Sequence, residues 1–137
     1  RSAYQRERKT DFGVYARAAY AVRAGEDIYA INDDRGWHYC YPPPLAIILV
    51  PLADPWPWVP RDGYLPFGVS CAVWYVLGFG CAAWGTFALA KAVVPDAVPG
   101  TRRWWAAGAG PLLLGIHGIG FTLSRGQVNL VLFALMA

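Results

Sequence analysis

Asp11 and Tyr15 stand four positions apart at the head of a short amphipathic stretch, a spacing that sets both side chains on one side of a helix, one turn from each other. A carboxylate in that position can act as a general base, taking the proton of a hydroxyl as that hydroxyl attacks, while the tyrosine orients the acceptor. The same carboxylate is also a good residue for a helix start, because the macrodipole and the orphan amides favour an acid there by about 1 kcal/mol. Both readings require the helix. Phe12, Tyr15, Ala19 and Val22 recur as one apolar stripe, Arg17 and Arg23 lie off it, Thr10 or Asp11 supplies the N-cap, and Gly25 stands where the chain would leave. The spacing predicts a helix over residues 11–24 lying along a membrane interface.

A second group of polar side chains is Arg125, Gln127 and Asn129, set between two apolar runs. A cation and two carboxamides in that setting cost free energy unless they are buried against partners or face a cavity, so they are expected to contact substrate on the same side of the membrane as Asp11. His38, among Trp37, Tyr39 and Tyr41, is placed to meet a phosphate. The Tyr41-Pro42-Pro43-Pro44 run marks where chain passes into the bilayer, with aromatics at headgroup level; in a functional reading the Tyr41 ring lines a lipid-side groove. The triplet is expected not to sit within a helix, since proline lacks the N–H that a helix interior needs, and by itself the run is a helix-entry signal. His117 falls inside a membrane-length run, where an ionisable group is a functional candidate and a neutral histidine bonded to a neighbouring helix is equally consistent.

The elements that must position these residues follow from composition. Hydrophobic residues make up 56% of the 137 and charged ones 15%, and 13 of the 21 charged side chains fall in the first 35 positions. That pattern describes a polar head followed by membrane segments. The net charge of +3 comes with no basic stripe interleaved with exposed aromatics, which argues against a nucleic-acid partner. Cys40, Cys71 and Cys81 leave an odd thiol, and Cys71 and Cys81 sit inside an apolar run with no neighbouring histidine at ligand spacing, so neither a disulfide framework nor a zinc site is expected. Arg1 to Lys9 is basic without a signal-peptide core behind it and reads as a solvated connection. The chain starts without methionine and stops within an apolar run, as a piece of a larger protein would.

Residues 26–36 are rich in turn formers and acids and read as an aqueous loop. Leu65 to Ala90 holds no charged residue over 26 positions and is the clearest transmembrane helix. Trp104 to Ser124 supplies a second span with two tryptophans at its rim, and Leu130 begins a further helix. Between them, Leu45 to Ala53 and its flanks reach only about 18 Å as a helix, short of a hydrocarbon core of about 30 Å. That segment either borrows Trp56 to Val59 to complete a distorted span or turns back on one side. The positive-inside rule, applied to Lys91, Arg102 and Arg103, favours the second arrangement. The expected architecture is an all-α polytopic transmembrane bundle, with an extracytoplasmic loop over residues 1–42 carrying the interfacial helix and the helices of one incomplete membrane domain over 43–137.

Asp11-Phe12-Gly13-Val14-Tyr15, Ala18-Ala19, Gly25-Glu26-Asp27-Ile28-Tyr29, Tyr41-Pro42-Pro43-Pro44-Leu45, Pro51-Leu52-Ala53 and Gly126-Gln127-Val128-Asn129, in that order, resemble the N-terminal part of glycosyltransferase family 87, of the GT-C superfamily of integral membrane enzymes. Pro44 departs from the pattern, which has an apolar residue there. The resemblance implies a polyprenyl-phosphate-sugar donor, commonly the mannose form, and transfer to a hydroxyl of a glycolipid or polysaccharide acceptor on the extracytoplasmic face of a bacterial plasma membrane. It implies no cofactor, the lipid-linked sugar being a substrate. It maps the presumed base onto Asp11 and leaves Arg125, Gln127, Asn129 or His38 to stabilise the departing phosphate. Two other classes share the helical pattern. A transporter or lipid scramblase would also hold His117 and Arg125 in a bundle, and a non-catalytic membrane subunit would use glycine-rich helix faces for assembly.

Overall fold

The computed structural model describes residues 10–33, 36–98 and 100–137. Arg1 to Lys9, read above as a solvated connection, lies outside the described residues. Among the described residues five α-helices follow one another: α1 (Asp11–Ala24), α2 (Pro43–Ile48), α3 (Phe67–Val93), α4 (Arg102–Arg125) and α5 (Asn129–Met136), with a 3₁₀ turn at Val50–Leu52. Among the described residues there is no strand, only an isolated antiparallel bridge between Asn32 and His38. The chain divides into two compact units, Arg1–Trp74 and Tyr75–Ala137.

The first unit is built around α1. Thr10 is its N-cap in extended conformation, and Gly25 closes it at φ 72°. Gly25 N–H donates to the Val22 carbonyl at 3.3 Å and Glu26 N–H to that of Ala21 at 2.8 Å, the paired bonds of a Schellman end, which a glycine at positive φ allows without strain. The bounds are those the apolar stripe predicts. The setting is different: every residue from Phe12 to Ala21 is buried, Arg17 included. Protein therefore covers α1 all round over this stretch, in place of the wet face expected of an interfacial helix. The physical reason is in the residues off the stripe. Gly13, Ala16, Ala18 and Ala21 are small enough for other segments to approach the backbone; α2 and the 3₁₀ turn both pack on α1, and Asp54 N–H reaches the Ala16 carbonyl.

α2 starts on Pro43 and takes Pro44 into its first turn. The run is the helix-entry signal it reads as, and the expectation that no proline sits within the helix is corrected for Pro43 and Pro44: first-turn N–H groups have no intrahelical acceptor, so proline loses nothing at these positions and its φ is already helical. The helix is only six residues long and passes into the 3₁₀ turn through Leu49. Residues 43–52 therefore form no continuous span.

α3, with 27 residues, is the one unbroken helix among the described residues long and apolar enough to cross a membrane. α4 has a similar length but bends by 54° between Arg102–Leu113 and Gly115–Arg125, and it meets the same test only if the two arms are counted as one span. Pro111 lies inside it, where the missing N–H and the ring's clash with the preceding turn account for a kink. Within the second unit, a Cβ on Gly85 would stand 2.6 Å from the Phe133 ring of α5, so α3 and α5 meet where only glycine fits.

Candidate functional site

Asp11 is the first residue of α1 and is partly exposed, whereas the ten residues after it are buried. The carboxylate is thus carried at the open end of a helix whose body is fixed by packing. Thr10 makes no side-chain cap bond, so capping is not what holds this end in place. Beneath Asp11 the rings form a connected series. Phe12 packs against Phe67 at 5.9 Å and Trp74 at 5.6 Å, and Tyr15 meets Trp74 at 5.7 Å and Tyr41 edge-on at 5.1 Å. Tyr41 continues to Tyr39 at 5.8 Å and Tyr39 to Tyr29 at 6.0 Å. Offset and edge contacts of this kind add roughly 0.5–1.5 kcal/mol each beyond area burial. Phe12 and Tyr15 are fully closed to solvent.

Two hydroxyls pin the chain leading into α2. Tyr39 donates to the Pro42 carbonyl at 2.8 Å and Tyr29 to that of Tyr41 at 3.2 Å. The carbonyl before a proline pair receives in this way a donor that the prolines cannot supply. Burial raises the pKa of the Tyr39 hydroxyl above its ordinary value, because the phenolate would lose its hydration. His38, by contrast, is exposed beside the bridge to Asn32. The turn that carries it is closed by Asp33, whose carboxylate accepts the Trp37 N–H at 2.9 Å while its own N–H donates to the Trp37 carbonyl at 2.9 Å. Asp11, Tyr15, His38 and Tyr41 thus all belong to the first unit, with Tyr15 and Tyr41 in direct contact.

Sequence reasoning passed over the most buried charges of this unit. Arg17 lies 3.6 Å from Oδ2 of Asp54, with side-chain exposures of 2% and 3%. Arg61, 43% exposed, approaches Oδ1 of the same carboxylate at 3.3 Å. The Arg17 guanidinium also lies 4.1 Å from the centroid of Trp56, which stacks on Trp58 at 4.9 Å, and Asp54 N–H donates to the Ala16 carbonyl at 3.0 Å. A buried cation needs a carboxylate or a ring face close by, and here it has both. The signal available in the sequence was a lone acid directly after the apolar run 45–53 together with an arginine inside an alanine-rich helix.

In the second unit, Arg125 ends α4 and lies 5.2 Å from the Phe121 ring centroid. Gly126 takes the left-handed conformation at φ 67°, and the Gln127 N–H reaches back to the Thr122 carbonyl at 3.1 Å. The Asn129 amide donates to Oε1 of Gln127 at 3.0 Å. Gln127 and Asn129 are therefore joined by their own side chains at the α4–α5 turn, beside Arg125. His117 is exposed on α4. Among the described residues no three His, Cys, Asp or Glu side chains gather as a metal site would require.

The model of glycosyltransferase family 87 matches residues 39–137. The chain belongs to glycosyltransferase family 87. No curated protein and no solved structure matches it. The family 87 segment takes in Tyr41, the proline triplet, Asp54 with its half-exposed partner Arg61, and the Arg125–Asn129 turn, whereas α1 with Asp11 and Arg17 precedes it. Glycosyl transfer is the activity this family carries, and α3 agrees with a membrane protein.

Proposed function

We propose that this family 87 chain is part of an integral membrane enzyme that moves a sugar, mannose in the simplest case, from a polyprenyl-phosphate donor to a hydroxyl of a glycolipid or polysaccharide acceptor. The observation that carries the proposal is the partly exposed Asp11 at the head of a helix buried from Phe12 to Ala21, in a chain of a glycosyltransferase family. General-base catalysis requires a carboxylate open to the acceptor yet held still. α1 supports both: its body is locked by the aromatic series and the Arg17–Asp54 pair, and at its N-terminal end Asp11 is partly open.

In this mechanism Asp11 takes the proton of the acceptor hydroxyl as its oxygen attacks the anomeric carbon and the bond to the lipid phosphate breaks. The half-buried Tyr41 forms the wall against which the acceptor is oriented, and the fully buried Tyr15 packs edge-on behind it. The phosphate leaves with negative charge and needs a cation or amide donors to meet it; the candidates are His38 in the first unit and, in the second, Arg125 with the Gln127 and Asn129 amides. In this reading the Asp11 site faces the extracytoplasmic side of a bacterial plasma membrane.

The test is transfer by the full-length enzyme from radiolabelled polyprenyl-phosphate mannose and, in parallel, from the matching nucleotide sugar. Label passing to a lipid or polysaccharide acceptor from the polyprenyl donor alone is the expected result. Transfer from the nucleotide sugar alone would overturn the donor assignment.

A further inference from the structure

We propose that the end of the α3–α4 pair carrying Lys91 binds one anionic phospholipid, with the phosphate on the lysine and an acyl chain in the cavity behind it. The inference is separate from the transfer site and does not rest on the identity of the sugar donor.

The cavity has a volume of about 240 Å³ and is lined by Phe87, Ala90 and Lys91 of α3, Val94 and Ala97 of the connection, and Trp104 of α4. A second cavity of about 200 Å³ shares Phe87, Ala90 and Trp104 with it and runs on along Gly108 and Leu112. Thr86 is the hydroxyl along this second cavity, and it is turned back onto the Ala82 carbonyl at 2.7 Å, which leaves the wall apolar. A Cβ on Gly108 would meet nothing within 4 Å, so the groove is open beside it. The polar group is at one end only. That arrangement of one cation at the mouth of an apolar channel complements an amphiphile with an anionic head.

Charge and aromatics around the mouth point the same way. Lys91 ends the apolar α3, and α4 begins with Arg102 and Arg103, followed by the Trp104–Trp105 pair at 4.7 Å, edge to face. The connection between them contributes Asp96 as its carboxylate, so cations outnumber acids three to one. Basic residues and tryptophans at the end of an apolar helix lie at headgroup depth, where a lysine or arginine attracts an anionic lipid surface. The groove descends from that level along α3, as a chain leaving a headgroup would.

The experiment is native mass spectrometry of the full-length protein in detergent, titrated with phosphatidylglycerol or with phosphatidylcholine of the same acyl chains. The expected result is one phosphatidylglycerol retained about five- to tenfold more tightly than phosphatidylcholine. Lys91→Gln should bring the two lipids level. Gly108→Leu, whose Cβ would meet nothing within 4 Å and whose branched end adds bulk to the groove wall, should remove the bound lipid of either kind, with sugar transfer unchanged in both variants. Equal retention of the two lipids by the unaltered protein, or no effect of either substitution, overturns the proposal. So does displacement of phosphatidylglycerol by polyprenyl phosphate, which makes this a donor site, or a Gly108→Leu protein that binds no lipid and has lost stability in lipid-free detergent, which places a protein helix in the groove.

Discussion

The Arg17 guanidinium lies 3.6 Å from the Asp54 carboxylate across 37 positions of sequence, and each side chain is at most 3% exposed. Removing one member of such a pair leaves the other buried without its counter-charge, which costs about 3–5 kcal/mol, whereas replacing both by apolar groups of similar size is close to neutral. Asp54→Ala and Arg17→Met should each lower the unfolding temperature of the full-length protein in detergent strongly. The double change Arg17→Met with Asp54→Leu should recover most of the loss. Arg61→Ala, at the half-exposed corner of the carboxylate, should change it little, because solvent screens that contact. A double variant as unstable as the singles would show that the pair is not what fixes this part of α1.

Two glycines of α3 separate packing from helix propensity. At Gly85 a new methyl would stand 2.6 Å from the Phe133 ring, while at Gly80 it would meet nothing within 4 Å. Gly85→Ala forces the ring or the helix to move, at about 1–3 kcal/mol. Gly80→Ala should be neutral or stabilising by roughly 0.5–1 kcal/mol, the backbone gain alone. Detergent melting of the two variants side by side measures the difference, and equal melting temperatures would refute the α3–α5 contact.

What the sequence discloses here depends on how local the cause is. The bounds of α1 come from Phe12, Tyr15, Ala19, Val22 and Gly25, all within one helix, and α3 follows from an uninterrupted apolar run. The burial of α1 was hidden because it depends on residues far along the chain: the Ala16 carbonyl is met by Asp54 N–H and Arg17 by the Asp54 carboxylate. Alanines off a stripe look solvent-tolerant in a helical pattern, although they equally permit close approach. The proline triplet misled for a different reason, since Pro43 and Pro44 are forbidden inside a helix but favoured in its first turn. Of the candidate site, Tyr15 and Tyr41 are proposed from sequence as separate neighbours of the chemistry, whereas their edge-on contact at 5.1 Å, made across 26 positions, was not legible there.

Alkaline pH should expose the role of Tyr39. Its hydroxyl is buried and its pKa is raised above the usual value of 10.0 by loss of hydration. The folded state then holds the phenolic proton more firmly than the unfolded chain does, so the stability from this group is complete below pH 10 and is lost as pH rises through the folded pKa. Tyr39→Phe removes the titration together with the 2.8 Å bond to Pro42. The variant should be less stable at pH 8 by about 1 kcal/mol and should lose less stability than the parent between pH 9 and pH 11. Parallel pH curves for the two proteins would show that Tyr39 does not carry the alkaline loss.

Asp11→Asn is the decisive substitution for the proposed mechanism. Asp11 occupies the first helical position, with Thr10 as the N-cap, and asparagine keeps the size and polarity of the side chain there. The macrodipole favours the negative charge by only about 0.3–1 kcal/mol at an exposed helix start, and the buried run from Phe12 to Ala21 is untouched. The variant is therefore expected to insert, purify and melt almost as the parent does. A positioned general base contributes about 10²- to 10⁴-fold in rate, so transfer from labelled polyprenyl-phosphate sugar should fall by at least two orders of magnitude in kcat/KM. Donor binding should be retained, because the carboxylate is assigned to the acceptor hydroxyl. Asp11→Glu places the same acid one methylene further out and should recover part of the rate, which a merely structural carboxylate would not do. Activity of Asp11→Asn within about threefold of the parent, equivalent to under 1 kcal/mol of transition-state stabilisation, would remove Asp11 from the mechanism.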